Sequence, residues 1–334
     1  MNVFEMEPML PEACRELTDK AVDLIAQSSA LLGMLNADVK LAVADLVRTM
    51  DCHYSNRIAD ADCLQDSTQK TTSAHIKAQF LIDSGEAPEK PLSKAFISWV
   101  HRELYHCPPE YGALDPLLDH FEQVYDPALH SRDRQVIAVA AAHHRLIWIH
   151  PFNDSNGLLA RLMSHACLTQ LGLDSRLWSL SRGLAQNPAK YKRLLQAAGK
   201  PHLNSLNGHS TLSQRSLARF CDYFLDSCIH QVNDMHRSLQ PQGLQLRIER
   251  YCAFETDARR LLPGSWNLLR EALLCGAFNR GRAAALTGKG SVQARKVLAR
   301  LIEKGLLVSD TPKSAVRLGL PLYALDQWLP GLYQ

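Results

Sequence analysis

His150-Pro151-Phe152-Asn153-Asp154-Ser155-Asn156-Gly157-Leu158-Leu159-Ala160-Arg161 is a short polar loop set between two apolar-periodic stretches. Before it, the run closing on Leu146-Ile147-Trp148-Ile149 has helical spacing; after it, Leu158, Leu159, Leu162 and Met163 resume that spacing. The segment therefore breaks out of one helix and feeds the first turn of another. Pro151 disfavours helix at His150, and Ser155-Asn156-Gly157 permits tight turns that aim several backbone N–H groups at one place. Such groups, together with the helix dipole, form an anion site. Asp154 is placed to hold a magnesium ion that bridges phosphate oxygens, because magnesium favours one or two carboxylates plus phosphates. His150, at the mouth of the loop, is placed to take a proton from an incoming hydroxyl. Arg161, one turn beyond Gly157, reaches a phosphate further out. The corner is of the kind that holds a nucleotide's phosphates.

Outward from this corner, helical periodicity dominates the first 235 residues. Leu17, Ala21, Leu24 and Ile25 mark a first helix, and Leu41, Ala44 and Val47 a second. Ser73 is expected to cap a helix carrying Ile76, Phe80 and Leu81 that stops at Gly85. Ser93 is expected to cap the next, with Phe96, Ile97, Val100 and Leu104 as its apolar stripe. Leu114, Leu117, Leu118, Phe121 and Val124 form another stripe, followed by a long helix over 133–149. Asn187-Pro188 is a cap followed by a first helical residue, and Ser213 opens a helix through Phe220, Phe224, Val232 and Met235. Few alternating patterns interrupt these helices, so this part is expected to be all-α.

Gln240-Pro241-Gln242-Gly243 is a breaker cluster, and a bridging helix is expected over 244–262. Pro263-Gly264 then opens a distinct unit, in which Ser265 caps a helix with Leu268, Leu269, Ala272 and Leu273. A short helix over 282–286, the turn Thr287-Gly288-Lys289-Gly290 and a third helix over 291–304 follow. Leu306-Leu307-Val308 and Val316-Arg317-Leu318 complete the unit as two short strands, giving the layout of a winged helix-turn-helix. The third helix is expected to bury Val292, Val297, Leu298, Leu301 and Ile302. Its polar faces carry Gln293, Arg295, Lys296 and Arg300, and with Lys313 in the wing these are the DNA-binding candidates. Between residues 280 and 317, nine Lys and Arg stand against Glu303 and Asp310, whereas the whole chain carries only +3. That concentration favours DNA over the protein docking or dimerisation that such modules also serve.

With 334 residues the chain is long enough for two or three cores. Its 46% apolar and 21% charged residues exclude a disordered or fibrous polymer. No run approaches the eighteen or so apolar residues that span a bilayer. Glu5 and Glu7 stand where a secretory leader would be basic, so a soluble, cytoplasmic chain is expected. Nine cysteines without a C-x-x-C pair exclude a zinc ribbon or a redox motif. Cys221 and Cys228, on one helix face, are expected to be buried small hydrophobes in a reducing compartment. His143 and His144 lack a Cys or carboxylate at helical spacing that would complete a metal set, so packing is expected of them. Trp178 is expected in the core, and Asp174 has no second acid beside it to support a two-carboxylate hydrolase.

The 150–161 segment resembles the signature of the Fic (Fido) family, His-x-Phe-x-Asp/Glu-Gly-Asn-Gly-Arg-x-x-Arg, and matches six of its eight specified positions. The resemblance runs from about residue 10 to the C-terminus and includes a Fic arrangement in which a winged helix follows the catalytic domain. It implies a helical Fic domain that transfers AMP from ATP, with Mg2+, to a Tyr, Ser or Thr hydroxyl of a target protein. His150 would then be the general base, Phe152 a core anchor and Asp154 the magnesium ligand. Ser155, Asn156 and Gly157 would cradle phosphate, and Arg161 would partner the terminal phosphate. The expected domains are 1–90, N-terminal helices with a degenerate inhibitory segment; 91–239, the Fic core; 240–262, the bridge; and 263–334, the winged helix.

Four departures accompany the match. Ser155 stands where the family has glycine, and would carry about 1–2 kcal/mol of strain if that position needs positive φ. Leu158 replaces the first arginine, and a lost charged contact of about 1.5–3 kcal/mol costs one to two powers of ten in rate. Tyr54-Ser55-Asn56-Arg57-Ile58-Ala59-Asp60 resembles the inhibitory segment Ser/Thr-x-x-x-Glu-Gly/Asn, but Ala59 occupies the glutamate position. The clamp on Arg161 is therefore expected to be absent unless Asp60 substitutes. Residues 106–113, where the family places a target-binding hairpin, are too few for one. Two readings follow: a protein adenylyltransferase weakened by its motif, or a catalytically inactive Fic-fold nucleotide sensor or scaffold in a winged-helix transcription regulator. A target protein, DNA and a homo-oligomer are the partners they raise; a membrane is not.

Overall fold

A computed structural model of the chain describes residues 3–59, 68–105, 114–153, 155–203 and 210–332. Asp154, Asp60 and the 106–113 segment, three places singled out above, lie outside the described residues. The chain divides into two compact units, residues 1–29 with 47–232, and residues 30–46 with 233–334. The dividing points fall within α1 (Arg15–Met34), α2 (Ala37–Ala59) and α10 (Gln214–Ser238).

In the first unit, α3 (Thr68–Asp83), α4 (Lys94–Tyr105) and α5 (Asp115–Val124) pack around the pair α6 (Arg132–Ile149) and α7 (Asn156–Gln170). Helix α6 is buried on all sides from Val136 to Leu146, and α7 from Leu158 to Leu168. A helix with no solvent-facing stripe belongs at the centre of a bundle, so the motif loop connects the two innermost helices. Helices α8 (Leu180–Ala185) and α9 (Pro188–Ala198) follow, then a small antiparallel pair, β1 (Pro201–Leu203) with β2 (Ser210–Leu212). The sequence pattern did not announce this pair.

Local capping chemistry sets several helix starts. Ser93 Oγ accepts from Phe96 N at 3.1 Å, Asn187 Oδ1 from Lys190 N at 2.9 Å and Ser213 Oγ from Ser216 N at 3.2 Å, as expected of these residues. Ser73 is no cap: α3 begins at Thr68 and runs through it, although Gly85, at φ 78°, ends the turn after the helix. The central helices carry polar groups inward. Arg145, fully buried, donates to Pro8 O and to His144 Nδ1, while His144 Nε2 donates to Leu195 O at 3.0 Å. His143 and His144 are thus packed into the bundle. Trp178 is also wholly buried, with its Nε1 on Leu173 O at 3.1 Å. Cys221 and Cys228 are buried free thiols.

The second unit contains α11 (Pro241–Asp257), α12 (Ser265–Leu274), α13 (Ala283–Thr287), α14 (Ser291–Glu303), β3 (Leu307–Val308), β4 (Arg317–Leu318) and α15 (Leu322–Trp328). Strands β3 and β4 pair antiparallel, and Phe278 adds a bridge to Val316 through bonds of 3.0 and 2.9 Å. The order of three helices and a hairpin is as expected. Three details differ. The breaker cluster is the start of α11, with Pro241 in its first turn, where a missing N–H costs nothing. Ser265 lies inside α12, donating its hydroxyl to Leu262 O, and Gly264 at φ 98° takes the cap position. Val292 sits in the open first turn of α14 and is 64% exposed, leaving Ala294, Val297, Leu298 and Leu301 as the buried face.

Residues 36–38 clasp the end of α12: Asn36 Nδ2 donates to Leu273 O at 2.8 Å and Asp38 Oδ2 accepts from Ala277 N at 2.7 Å. Gly276, at φ 87°, is the residue that fits there, because a Cβ would stand 2.5 Å from Asp38 Oδ2. Among the described residues, no helix is long and apolar enough to cross a membrane.

Candidate functional site

The motif loop is strained at both ends. His150 terminates α6 in the left-handed region (φ 52°, ψ 59°), and Ser155 precedes α7 in the same region (φ 58°, ψ 17°). Only four non-glycine residues among those described have positive φ, and these are two of them. Left-handed backbone costs a residue with a Cβ about 1–2 kcal/mol, so surrounding contacts must hold it in place. Asn156 does much of that work. Its Oδ1 accepts from Phe152 N at 3.1 Å and its Nδ2 donates to Phe152 O at 2.7 Å, so one side chain closes the loop on both backbone groups of Phe152. The Asn156 side chain is therefore a brace for the loop, and only its backbone N–H is left to face an anion. Phe152 is itself buried and stacks on His101 of α4, with ring centroids 3.8 Å apart and planes 17° from parallel.

These constraints leave His150 exposed at the mouth of the loop and the N-terminus of the fifteen-residue α7 open behind Ser155. The Ser155 side chain makes no capping bond, and the first recorded α-type bond from this turn is Leu159 N to Ser155 O, 3.1 Å. The earlier N–H groups are free of helical partners, as at any helix start, and they carry the positive end of the dipole.

Arg161 lies directly beneath this turn. A Cβ built on half-buried Gly157 would stand 3.2 Å from Arg161 Nη1, so glycine leaves the surface open above the guanidinium. The side chain is 5% exposed. Its Nε donates to Ser55 Oγ at 2.7 Å and its Nη2 to Ser55 O at 3.3 Å. The Tyr191 hydroxyl favours the guanidinium's charged form. Every one of these partners is a neutral oxygen, and among the described residues no carboxylate comes within ion-pair range. Burial pulls the guanidinium's pKa down while Tyr191 and Asp51 hold it up; arginine nonetheless stays charged in proteins. The α2 segment that lacks the glutamate still grips Arg161, but through Ser55 and without neutralising it.

The histidines behind Arg161 are kept from adding positive charge of their own. Ser164 Oγ donates to Ala160 O at 2.8 Å, so His143 Nδ1 donates to Ser164 Oγ (2.9 Å) and its Nε2 accepts from Tyr191 Oη (2.8 Å). Burial, with Arg161 and His144 nearby, pushes the His143 pKa down to about 3, and burial, Arg161 and His165 do the same to His75. Both rings are neutral near pH 7. One turn beyond Arg161, His165 is the opposite case. Ser175 Oγ donates to His165 O at 2.9 Å, so His165 Nδ1 donates to Ser175 Oγ at 2.9 Å, while Nε2 faces Asp83 Oδ1 at 2.8 Å. Burial opposes the ring's charge, but Asp83, backed by Asp51 and Asp174, raises its pKa. Asp83 is correspondingly lowered, because His165 and Arg48 Nη1 at 2.8 Å outweigh its burial. Asp51 accepts from Ser179 Oγ (2.6 Å), Gln79 Nε2 (2.8 Å) and Ser181 N (3.3 Å), and burial pushes its pKa up against those donors.

Among the sequence candidates, the structure brings together Ser155, Asn156, Gly157 and Arg161 at the start of α7, with His150 across the loop. Asp154, the candidate metal ligand, lies outside the described residues, and no group of three or more His, Cys, Asp or Glu among those described is placed to hold a metal. Leu158 is buried, so no side chain from that position faces the loop's solvent side. Ser55, Tyr191 and the His165–Asp83 pair were missed as supports. The spacing of Arg161 and His165, one helical turn apart, was the available signal for the last. In the second unit Gln293, Arg295, Lys296 and Lys313 are exposed, whereas Arg300 pairs with Glu303 at 2.9 Å and reaches Arg260 O at 3.4 Å.

The loop thus joins the two central helices, with exposed His150 at its mouth and buried Arg161 beneath the first turn of α7. Residues 68–168 match the Fic/DOC family model. Over 67 residues it is 37% identical to the protein adenylyltransferases Fic of Aedes aegypti and Drosophila melanogaster. Those matches take in 20% of this chain and only 13% and 14% of the two proteins. A Fic family protein from Desulfovibrio desulfuricans G20 shares the fold, with a TM-score of 0.51 over 93% of this chain and 98% of that one, at 13% identity.

The His165–Asp83 pair has a testable pH signature. Its histidine pKa is raised and its aspartate pKa lowered, so its stabilisation is fully present between the unfolded values of about 4 and about 6.5. It is lost as pH rises through the folded histidine pKa, or falls through the folded aspartate pKa. Urea denaturation of wild type and Asp83→Asn should show the largest stability difference in that window and a smaller one at pH 9. A pH-independent difference would mean that the pair is not ionised.

Proposed function

We propose that the motif corner is a nucleotide-phosphate site and that the protein is a Fic-type adenylyltransferase, transferring AMP from ATP to a Tyr, Ser or Thr hydroxyl of a target protein. The observation that carries this reading is Arg161: a buried guanidinium held by neutral oxygens, beneath a glycine, at a helix N-terminus. A buried charge without a counterion is costly, and an incoming phosphate would complete the arrangement. Ser155, Asn156 and Gly157 offer backbone N–H groups to the inner phosphates, and Arg161 bonds an outer one. Mg2+, whose ligand would be Asp154, supplies neutralisation of phosphate charge. Exposed His150 takes the proton from the target hydroxyl as its oxygen bonds the α-phosphorus and pyrophosphate leaves. His150→Ala is expected to abolish labelling of target protein by ATP labelled in its α-phosphate, while nucleotide binding stays within about twofold. Undiminished labelling by that variant would sink the assignment.

The second reading, a Fic-fold nucleotide sensor or scaffold within a DNA-binding regulator, is favoured by a different observation. Exposed Arg295 and Lys296 on α14 have no acidic partner among the described residues, and Leu158 removes one phosphate-binding arginine from the motif. In this reading Gln293, Arg295 and Lys296 meet base edges and Lys313 meets phosphate, with Arg300 held back by Glu303. Double-stranded DNA should be retained by the full chain at low salt, and Arg295→Glu with Lys296→Glu should weaken retention by about tenfold or more and flatten its salt dependence. Retention that ignores both charges would remove α14 from the interface.

A further inference from the structure

A cavity of about 410 Å3 opens in the first unit among the segment before α4, the end of α5, the first turns of α6 and the end of α7. None of its lining residues belongs to the 150–161 motif. The floor is apolar: Leu92, Ala138 and Val139 are buried there, with the ring of Tyr125, whose hydroxyl is turned away onto Met9 O. Cys167 completes the floor, and burial raises its thiol pKa, so it presents an unreactive S–H. An apolar void of about 150 Å3 suffices for benzene, and ligand pockets begin near 300 Å3. There is room for a bicyclic ring and a short chain.

Most of the polar rim, Lys90 and Gln170 apart, has its protons committed within the fold. His130 Nε2 donates to Val124 O at 2.8 Å, so Nδ1 accepts whenever the ring carries a single proton. Gln135 Nε2 donates to both Pro127 O (2.7 Å) and His130 O (3.0 Å), which leaves its Oε1. The Ser93 hydroxyl proton goes to Lys90 O at 2.7 Å. Glu122 uses Oε2 on Lys94 N and Asp126 uses Oδ1 on Ala128 N, both at 3.0 Å, so each keeps a second carboxylate oxygen for a ligand. Lys90 is the single ammonium in the lining, and it stands exposed on a flexible stem. A rim of acceptors, two of them anionic, over an apolar floor calls for a ligand that brings donors, positive charge and a hydrophobic body.

We propose that this cavity binds a small hydrophobic primary amine, its ring on the Leu92–Val139–Cys167 floor and its ammonium among Glu122, Asp126 and the His130 and Gln135 acceptors. Calorimetric titration of the full chain with tryptamine, and with indole-3-propionate as the anionic counterpart, tests it. Saturable one-to-one binding of tryptamine is expected, with the carboxylate weaker by about tenfold or more. Glu122→Gln keeps an oxygen for Lys94 N while removing the charge, and should weaken tryptamine by about three- to tenfold. Ala138→Leu should fill the floor and abolish binding; if that variant misfolds, Glu122→Gln still decides. No saturable binding at millimolar tryptamine, equal affinity for the two probes, or indifference to Glu122→Gln would each overturn the proposal. Asp154→Ala should leave tryptamine binding unchanged, which separates this cavity from the phosphate site.

Discussion

The positive charge of Arg161, buried and matched among the described residues by neutral oxygens, is the constraint around which the first unit is arranged. Ser55 supplies an hydroxyl and a carbonyl from α2, Tyr191 supplies a phenol from α9, and His143 orients that phenol by accepting its hydrogen bond. Each of these groups solvates the guanidinium without neutralising it. Two buried acids of this unit are occupied elsewhere: Asp83 with His165 and Arg48, and Asp51 with three donors. A buried cation maintained in this way carries a cost in stability that the surrounding helices offset.

The loop above Arg161 follows a second constraint, that a helix must stop and another start within a few residues while both remain central. Left-handed backbone at His150 and Ser155 makes the two corners, and the Asn156 amide ties them through Phe152. The glycine that the Fic signature carries at the second corner is explained by φ 58° at Ser155: any Cβ there is strained. Serine at that position leaves the turn formed but less favourable, and Leu158, turned into the core, strengthens packing where the signature has a charge. Set beside the signature, the loop keeps its turn and carries one charge fewer.

Much of this was legible because it is local. The breaking of helical spacing at His150–Gly157, the caps at Ser93, Asn187 and Ser213, and the order of elements after Gly264 all depend on neighbours a few residues apart. Ser73 failed as a cap because nothing in the preceding Thr-rich turn breaks a helix, and Val292 failed as a core residue because a first helical turn extends beyond the packed face. The partners of Arg161 could not be read in the same way. Ser55 is 106 positions away, and its motif predicts a contact from Ala59's position, not from its own. The Asn156 clamp was also hidden, since an asparagine beside a phosphate nest and one bracing a loop are the same letter.

Titration of Mg2+·ATP into the wild-type protein and into Arg161→Met tests the central claim most directly, because methionine keeps much of the volume and removes only the charge and its donors. Magnesium-dependent binding by wild type, weakened about tenfold or more in the variant, is the expected result. Equal affinities would show that the buried guanidinium serves the fold and not a phosphate, and no binding by wild type would show that the corner has lost its ligand.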